Sequence, residues 1–239
     1  MGRSDMKIGI IIQARMGSGR LPGKVLKQIG NKTLLEHIMY RLQRLQTQTQ
    51  VIIATTKEKK DDALAEFCIE HGYTIFRGDE ENVLERYYLC AKQYGFHHIV
   101  RLTADNPFVD IEELDRLIAC HLDQEADYTK SFAALPCGVG AEIFTFAALE
   151  KDYSEASKPN HFEHVNEYIW ENPQKFKIVD LQTPKEKSKP EIRLTVDTKE
   201  DYQRACDIVR CSGNEYISTV EAIHIVTHIQ KNNILEEES

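Results

Sequence analysis

Short apolar runs alternate along this chain with segments whose apolar residues recur every three or four positions. Lys7 to Gln13 is such a run, rich in β-branched residues, as expected of a strand buried on both faces of a parallel sheet. Leu34, Leu35, Ile38, Met39, Leu42 and Leu45 then fall at helical spacing, and Val51 to Thr55 reads as a second strand. Asp61 to His71 predicts a helix ended at Gly72, a strand follows near Tyr73 to Phe76, and Asn82 to Tyr94 predicts a helix ended at Gly95. His98 to Leu102 is a strand whose carboxyl end delivers Thr103 to Pro107, ahead of a helix beginning near Ile111. Ile192 to Val196 reads as a further strand before a helix from Lys199 to Arg210. Strands alternating with helices imply an α/β fold with a mostly parallel sheet covered on both faces. No repeat or low-complexity tract interrupts it, so residues 1–239 form a single domain, with an acidic tail over 231–239 expected to fray.

The stretch from Gln13 to Lys24, Gln-Ala-Arg-Met-Gly-Ser-Gly-Arg-Leu-Pro-Gly-Lys, places three cations and three glycines at the end of the first strand. Gly17, Ser18, Gly19 and Gly23 let backbone N–H groups approach a polyphosphate, and Arg15, Arg20 and Lys24 supply compensating charge. The alternative is a flexible glycine loop with solvated cations. Two better-known phosphate motifs fail on spacing. The P-loop needs four residues between its glycines and a Ser or Thr after the Lys, but Gly19 and Gly23 enclose three and Val25 follows Lys24. The dinucleotide fingerprint starts at Gly17 and Gly19 but meets Pro22 at its last position. In open α/β sheets ligands collect at the carboxyl ends of strands, so this loop and the one at Thr103 should share a crevice.

Asp105 and Asp197 each follow a strand and precede a helix. Mg²⁺ commonly takes one or two carboxylates and completes its shell with water and phosphate oxygens, so the two together read as a Mg²⁺ site. Helix capping is the competing role; Asp110, directly before Ile111, fits the cap of its helix better, and Thr198 competes with Asp197.

Ala14-Arg15-x-x-Ser18-x-Arg20-x-Pro22-x-Lys24 resembles the N-terminal signature of the cytidylyltransferases that activate acidic sugars as CMP-sugars, most closely their spore coat polysaccharide branch. Further landmarks of that family stand at Phe76-Arg77-Gly78-Asp79, Val83-Leu84-x-Arg86-Tyr87, Arg101 to Pro107, Glu163-His164-Val165 and Arg193 to Asp201, nearly the whole chain. The resemblance implies a Rossmann-like (GT-A-like) nucleotidyltransferase fold, a three-layer sandwich. It also implies CTP and a sugar as substrates, release of pyrophosphate, Mg²⁺ on Asp105 and Asp197, and a homodimer paired through the segment holding Phe162, Val165, Tyr168, Ile169 and Trp170. Arg15, Arg20 and Lys24 would meet the phosphates, backbone at Gln13 and Ala14 the base, and Arg77, Asp79, Asn82 and Arg86 would close over nucleotide and sugar. Arg86 and Glu85 could instead only decorate the exposed face of a helix whose inner face carries Val83, Leu84 and Tyr87. Glu142, after the glycine turns of 136–141, is a candidate acceptor from sugar hydroxyls, or a surface Glu on a plain turn. His164 is a candidate sugar contact or proton acceptor; with His161 it lacks the His-Glu-x-x-His spacing of a zinc protease.

The balance of 30 Lys and Arg against 38 Asp and Glu, a net charge of −8, argues against nucleic acid as a main partner and makes the cations of the first loop a local feature. The six cysteines form no Cys-x-x-Cys pair, so neither a zinc ribbon nor a thioredoxin-like site is indicated, and free thiols in a reducing cytoplasm are expected. No apolar run reaches the ~18 residues that span a bilayer, and Met1 to Lys7 lacks the apolar core of a secretory signal. Thr183 to Pro190, with two prolines and four charged residues, reads as an exposed connection. Two other functions fit part of the pattern. A glycosyltransferase would usually carry an Asp-x-Asp metal motif, and none occurs here. A silent nucleotide-sugar-binding subunit would not need both carboxylates and all three cations.

Overall fold

Ile10, Ile11 and Ile12 are all fully buried yet belong to different cores, Ile10 and Ile12 on one side of the sheet and Ile11 on the other. That alternation explains the unbroken apolar run in the sequence: both faces of the strand are covered, so neither needs polar residues. The computed structural model describes residues 6–237, with side chains through Lys231. In chain order the strands are β1 (Ile8–Gln13), β2 (Gln28–Ile29), β3 (Lys32–Thr33), β4 (Gln50–Thr56), β5 (Ile75–Gly78), β6 (His98–Thr103), β7 (Tyr128–Lys130), β8 (Glu142–Thr145) and β9 (Ile178–Asp180). The helices are α1 (Leu34–Leu42), α2 (Asp62–Glu70), α3 (Val83–Tyr94), α4 (Ile111–Asp123), α5 (Phe146–Glu155), α6 (Pro159–Glu163), α7 (Glu167–Glu171), α8 (Lys199–Ser212) and α9 (Thr219–Glu237).

One seven-stranded sheet has the order β5-β4-β1-β6-β8-β7-β9. Strands β5, β4, β1 and β6 are parallel, β8 runs antiparallel between β6 and β7, and β7 pairs parallel with β9. Helices α1, α2 and α4 pack their apolar faces on one side and α3, α5 and α7 on the other, giving the expected three-layer sandwich of the Rossmann-like nucleotidyltransferases. A third cluster joins Ile29, Leu34, Ile192, Leu194 and Val196 to Ala205, Ile208 and Ile223 of α8 and α9. Each fully buried Ile or Leu in these clusters contributes about 1.5–3 kcal/mol relative to exposure.

Helix starts follow side-chain chemistry. Asn82 accepts from the Glu85 N–H, Asp110 from the Glu113 N–H, and Thr198 forms a capping box with Asp201. The capping roles expected of Asp110 and Thr198 are therefore filled, which leaves Asp105 and Asp197 free of them.

Two local expectations are corrected. Residues 192–196 form no regular strand but only a single bridge between Cys137 and Arg193. Gly138, at φ 96°, folds the preceding turn so closely over this segment that a Cβ there would lie 2.5 Å from the Thr195 nitrogen. The Leu194 and Thr195 N–H groups then both donate to the Cys137 carbonyl, and the Val196 N–H donates to Asp105. The connection 183–190 is not wholly exposed, since Lys187 is buried and pairs with Asp110, Glu112 and Glu113 at 3.0, 2.9 and 3.2 Å. Helix α9 carries the backbone through Glu237; the rest of the expected tail, 238–239, and the signal-peptide question at residues 1–5 lie outside the described residues.

Candidate active site

The carboxyl ends of β1, β5 and β6 open onto one cleft of about 1100 Å³, lined by Gln13, Arg15 and Arg20 from β1 and the first loop, Asp79 to Val83 after β5, and Arg101, Thr103 and Asp105 from β6 and its exit. Phe162, Glu163 and His164 close its far wall. A smaller compartment of about 290 Å³ continues it beneath the loop, between Ser18, Gly19, Arg20, Lys24, Asp105 and Asp197. The crevice expected from the parallel sheet is thus present, and both loops reach it.

The loop is held from below. The Met16 N–H donates to Asp61 Oδ1 at 2.5 Å, and the Met16 carbonyl accepts from the N–H groups of Ser18 and Gly23 at 2.9 Å each. Two of the N–H groups expected to face phosphate are therefore used inside the loop. Gly23, at φ 68°, makes the left-handed turn that feeds Lys24 back under it. Asp61, fully buried and also bonded by the Thr56 hydroxyl, is a positioning residue that the sequence did not single out.

Lys24 and the two carboxylates meet at one point. Its buried ammonium lies 3.2 Å from Asp105 Oδ2, 2.9 Å from Asp197 Oδ1 and 2.8 Å from the Val196 carbonyl. Thr103 donates its hydroxyl to Asp105 Oδ1 at 2.5 Å, while Arg20 and Arg193 approach Asp197 at 3.5 and 2.5 Å. Burial would raise the Asp197 pKa, but the hydrogen bond and charge of Lys24, with Arg20 and Arg193, outweigh it and hold the group below its ordinary value. Asp201 steadies this corner by accepting from the Asp197 and Thr198 N–H groups at 3.0 and 3.1 Å and from Arg193 at 3.0 Å.

Two carboxylates already closing on one cation are a fitting partial donor set for Mg²⁺, because the Lys24 ammonium acts as a stand-in. Among the described residues no third His, Cys, Asp or Glu joins them, so water and phosphate oxygens would complete the shell.

Several expected site residues lie elsewhere. Arg77 does not line the cleft; it donates to the Thr56 and Glu58 carbonyls and pairs with Asp62 at 2.7 Å, tying β5 to β4 and α2. Glu142 is on β8 rather than on a turn and is fully buried, bonded to Arg101 at 2.6 Å and to Tyr128 and Asn166, so it cannot meet a sugar hydroxyl directly. Arg86 neither decorates the surface nor lines the cleft. It is fully buried under the Asp79 turn, donating to the Asp79 carbonyl at 2.7 Å, with Nε and Nη2 unpartnered among the described residues. Part of the backbone at Gln13 and Ala14 is taken by the sheet, since the Ala14 N–H donates to Ala54 and the Gln13 carbonyl accepts from Ala104. The Gln13 side chain is left to face the cleft, and its buried Oε1 has no partner among the described residues. His164 does line the cleft, whereas His161 is buried against Glu171.

Arg101, Thr103 and Arg193 stood in the sequence within family landmarks, Thr103 also in the loop expected at the crevice, but were given no individual role in the site. For the first two a signal existed: they are polar at alternate positions of an otherwise apolar strand, which puts both on one face.

A parallel sheet with a cationic glycine loop and a carboxylate pair at its carboxyl edge is the architecture of a nucleotidyltransferase, and comparisons with known proteins agree. The chain belongs to the cytidylyltransferase family, whose model matches residues 9–238. It is 39% identical over 228 residues to the spore coat polysaccharide biosynthesis protein SpsF of Bacillus subtilis, covering 93% of each chain. It is 38% identical over 233 residues to an uncharacterised protein of Methanocaldococcus jannaschii, covering 95% of this chain and 96% of the other. A solved cytidylyltransferase from Leptospira borgpetersenii superimposes with a TM-score of 0.88 at 35% identity, covering 95% of this chain and 96% of that one.

Proposed function

We propose that the protein transfers CMP from CTP to a hydroxyl of a sugar and releases pyrophosphate, supplying an activated sugar for surface polysaccharide synthesis in the cytoplasm. The observation that carries this reading is the convergence of Arg20, Lys24, Asp105 and Asp197 in one compartment. An attacking hydroxyl, the α-phosphorus and the departing pyrophosphate must lie in line, and such chemistry depends on positioning and charge neutralisation more than on a covalent nucleophile. Arg15 and Arg20 receive the β and γ phosphates, Lys24 reaches the triphosphate from below, and Ser18 and Gly17 shape the loop around it. Gln13 offers its unpartnered Oε1 to the base. Bound Mg²⁺ would be held by Asp105 and Asp197 and would stabilise charge developing around the α-phosphate.

The acidic nature of the sugar is supported by the resemblance to activators of acidic sugars, and the similarity to SpsF supports a role in a spore coat or related surface polymer. We place the acceptor against the Phe162 to His164 wall, with His164 near its hydroxyls. A homodimer is supported by the half-exposed Trp170 on α7, although Val165, Tyr168 and Ile169 are spent in the chain's own core. No helix among the described residues is long and apolar enough to cross a membrane.

Thermal unfolding with each nucleoside triphosphate and Mg²⁺ tests the base preference. A ligand that binds only the folded state raises Tm by mass action, so CTP should give the largest shift, and equal shifts for CTP, UTP, ATP and GTP would contradict it.

A further inference from the structure

The Lys24 ammonium has three N–H donors, and Asp105 Oδ2, Asp197 Oδ1 and the Val196 carbonyl take one each. The group is nearly out of solvent, at 8% exposure for the residue, and none of its protons remains for a phosphate. The same loop lysine therefore cannot meet a triphosphate and keep all three partners. Nor can a dication enter between Asp105 and Asp197 while the ammonium holds the space, because two like charges would share one pair of carboxylates in a poorly hydrated site.

We propose that Lys24 is an internal stand-in cation that keeps the divalent-metal position filled in the nucleotide-free protein and yields it only when a triphosphate offers the ammonium a replacement anion. The inference rests on the metal reading given above. It makes metal and nucleotide binding mutually dependent: a triphosphate draws Lys24 toward the compartment lined by Ser18, Gly19 and Arg20, and the vacated carboxylates then accept the ion. Without nucleotide, displaced Lys24 would give up two carboxylates with no anion in exchange. The device also keeps two partly buried carboxylates neutralised in the resting protein, where an uncompensated pair would be costly. Arg20 and Arg193 cannot replace it, since of the two carboxylates they approach Asp197 and not Asp105.

The test is Mn²⁺ binding to nucleotide-free protein, followed by the electron paramagnetic resonance of the free ion, with Tm measured alongside. Lys24→Met removes the charge and keeps an unbranched side chain one atom shorter. It is expected to bind Mn²⁺ about tenfold or more tightly than wild type, within the usual range of coupling between sites, and to gain Tm on adding Mn²⁺ where wild type gains little. Lys24→Met combined with Asp105→Asn should lose that binding. Lys24→Gln serves as the second variant if Lys24→Met does not fold, and wild type alone is decisive in one direction: tight Mn²⁺ binding without nucleotide overturns the proposal. Equal affinities in wild type and both variants overturn it too. If CTP-loaded protein binds no Mn²⁺ beyond what CTP itself holds, the metal reading falls and takes the inference with it. Binding that requires CTP and Asp105 but is indifferent to Lys24 sinks the inference alone.

Discussion

Arg101 Nη1 lies 2.6 Å from Glu142 Oε1, so the guanidinium at the floor of the cleft carries its own buried counter-ion. Burial would lower the Arg101 pKa, but the charge of Glu142 more than offsets it and the net direction is upward. Tyr128 and Asn166 bond the other Glu142 oxygen, which fixes the pair from behind.

Removing Glu142 leaves a buried cation without its partner. Glu142→Ala is expected to lower stability by about 3–5 kcal/mol, read from the denaturant midpoint at unchanged m-value. A loss below about 1 kcal/mol, the level of an exposed pair, would contradict this account.

Asp105→Asn and Asp197→Asn keep side-chain shape but remove the charges placed around the reacting phosphate. Each should reduce pyrophosphate release by on the order of 10² to 10³ with the fold retained by circular dichroism. Thr198→Ala, which loses a helix cap, should cost about 1 kcal/mol of stability and leave turnover nearly unchanged. Arg20→Ala should act mainly on the KM for CTP, because its guanidinium is exposed and its ion pair with Asp197, at 3.5 Å, is loose.

Asp152 on α5 is fully buried, with both carboxylate oxygens unpartnered among the described residues, and burial pushes its pKa up to about 8. The folded protein therefore keeps a proton that the unfolded chain releases above about pH 4. Stability should fall as pH rises from about 4 toward 8, with a slope of at most about 1.4 kcal/mol per pH unit from this group. Asp152→Asn should remove that component of the slope, and urea unfolding at pH 5, 6.5 and 8 checks it; an unaltered slope would contradict the assignment.

The order of strands and helices was legible because buried parallel strands and amphipathic helices leave distinct hydrophobic periods. The segment 192–196 was misread because its apolar residues feed the third core through loop packing against Cys137 and Gly138, a long-range arrangement with no local period. In the site, Arg15, Arg20 and Lys24 were visible as charges on the loop after β1 and Asp105 as a carboxylate just past β6, whereas Asp197 was singled out through a strand that does not form and reaches the site on the irregular segment after Val196. Arg77, Arg86 and Glu142 were expected at the cleft, but Arg77 and Arg86 are tied down by backbone carbonyls and Glu142 by Arg101. Lys187, buried against Asp110 and Glu113, is the same effect outside the site.

The proposed dimer is expected to scatter light at about twice the chain mass of 27.5 kDa at micromolar concentration, since an interface of ordinary size persists at that dilution. A species at the chain mass would contradict it. Trp170→Glu should then shift a dimer toward monomer, given that this ring is the exposed apolar group of the segment.

Mass spectrometry of reactions holding the protein, Mg²⁺, one nucleoside triphosphate and a panel of acidic and neutral sugars tests CMP transfer most directly. The account predicts a sugar carrying one added CMP, with pyrophosphate in equal amount, from CTP and an acidic sugar, and no such product from the Asp105→Asn protein. A product carrying a nucleotide other than CMP, or CTP left intact with every sugar, would contradict it.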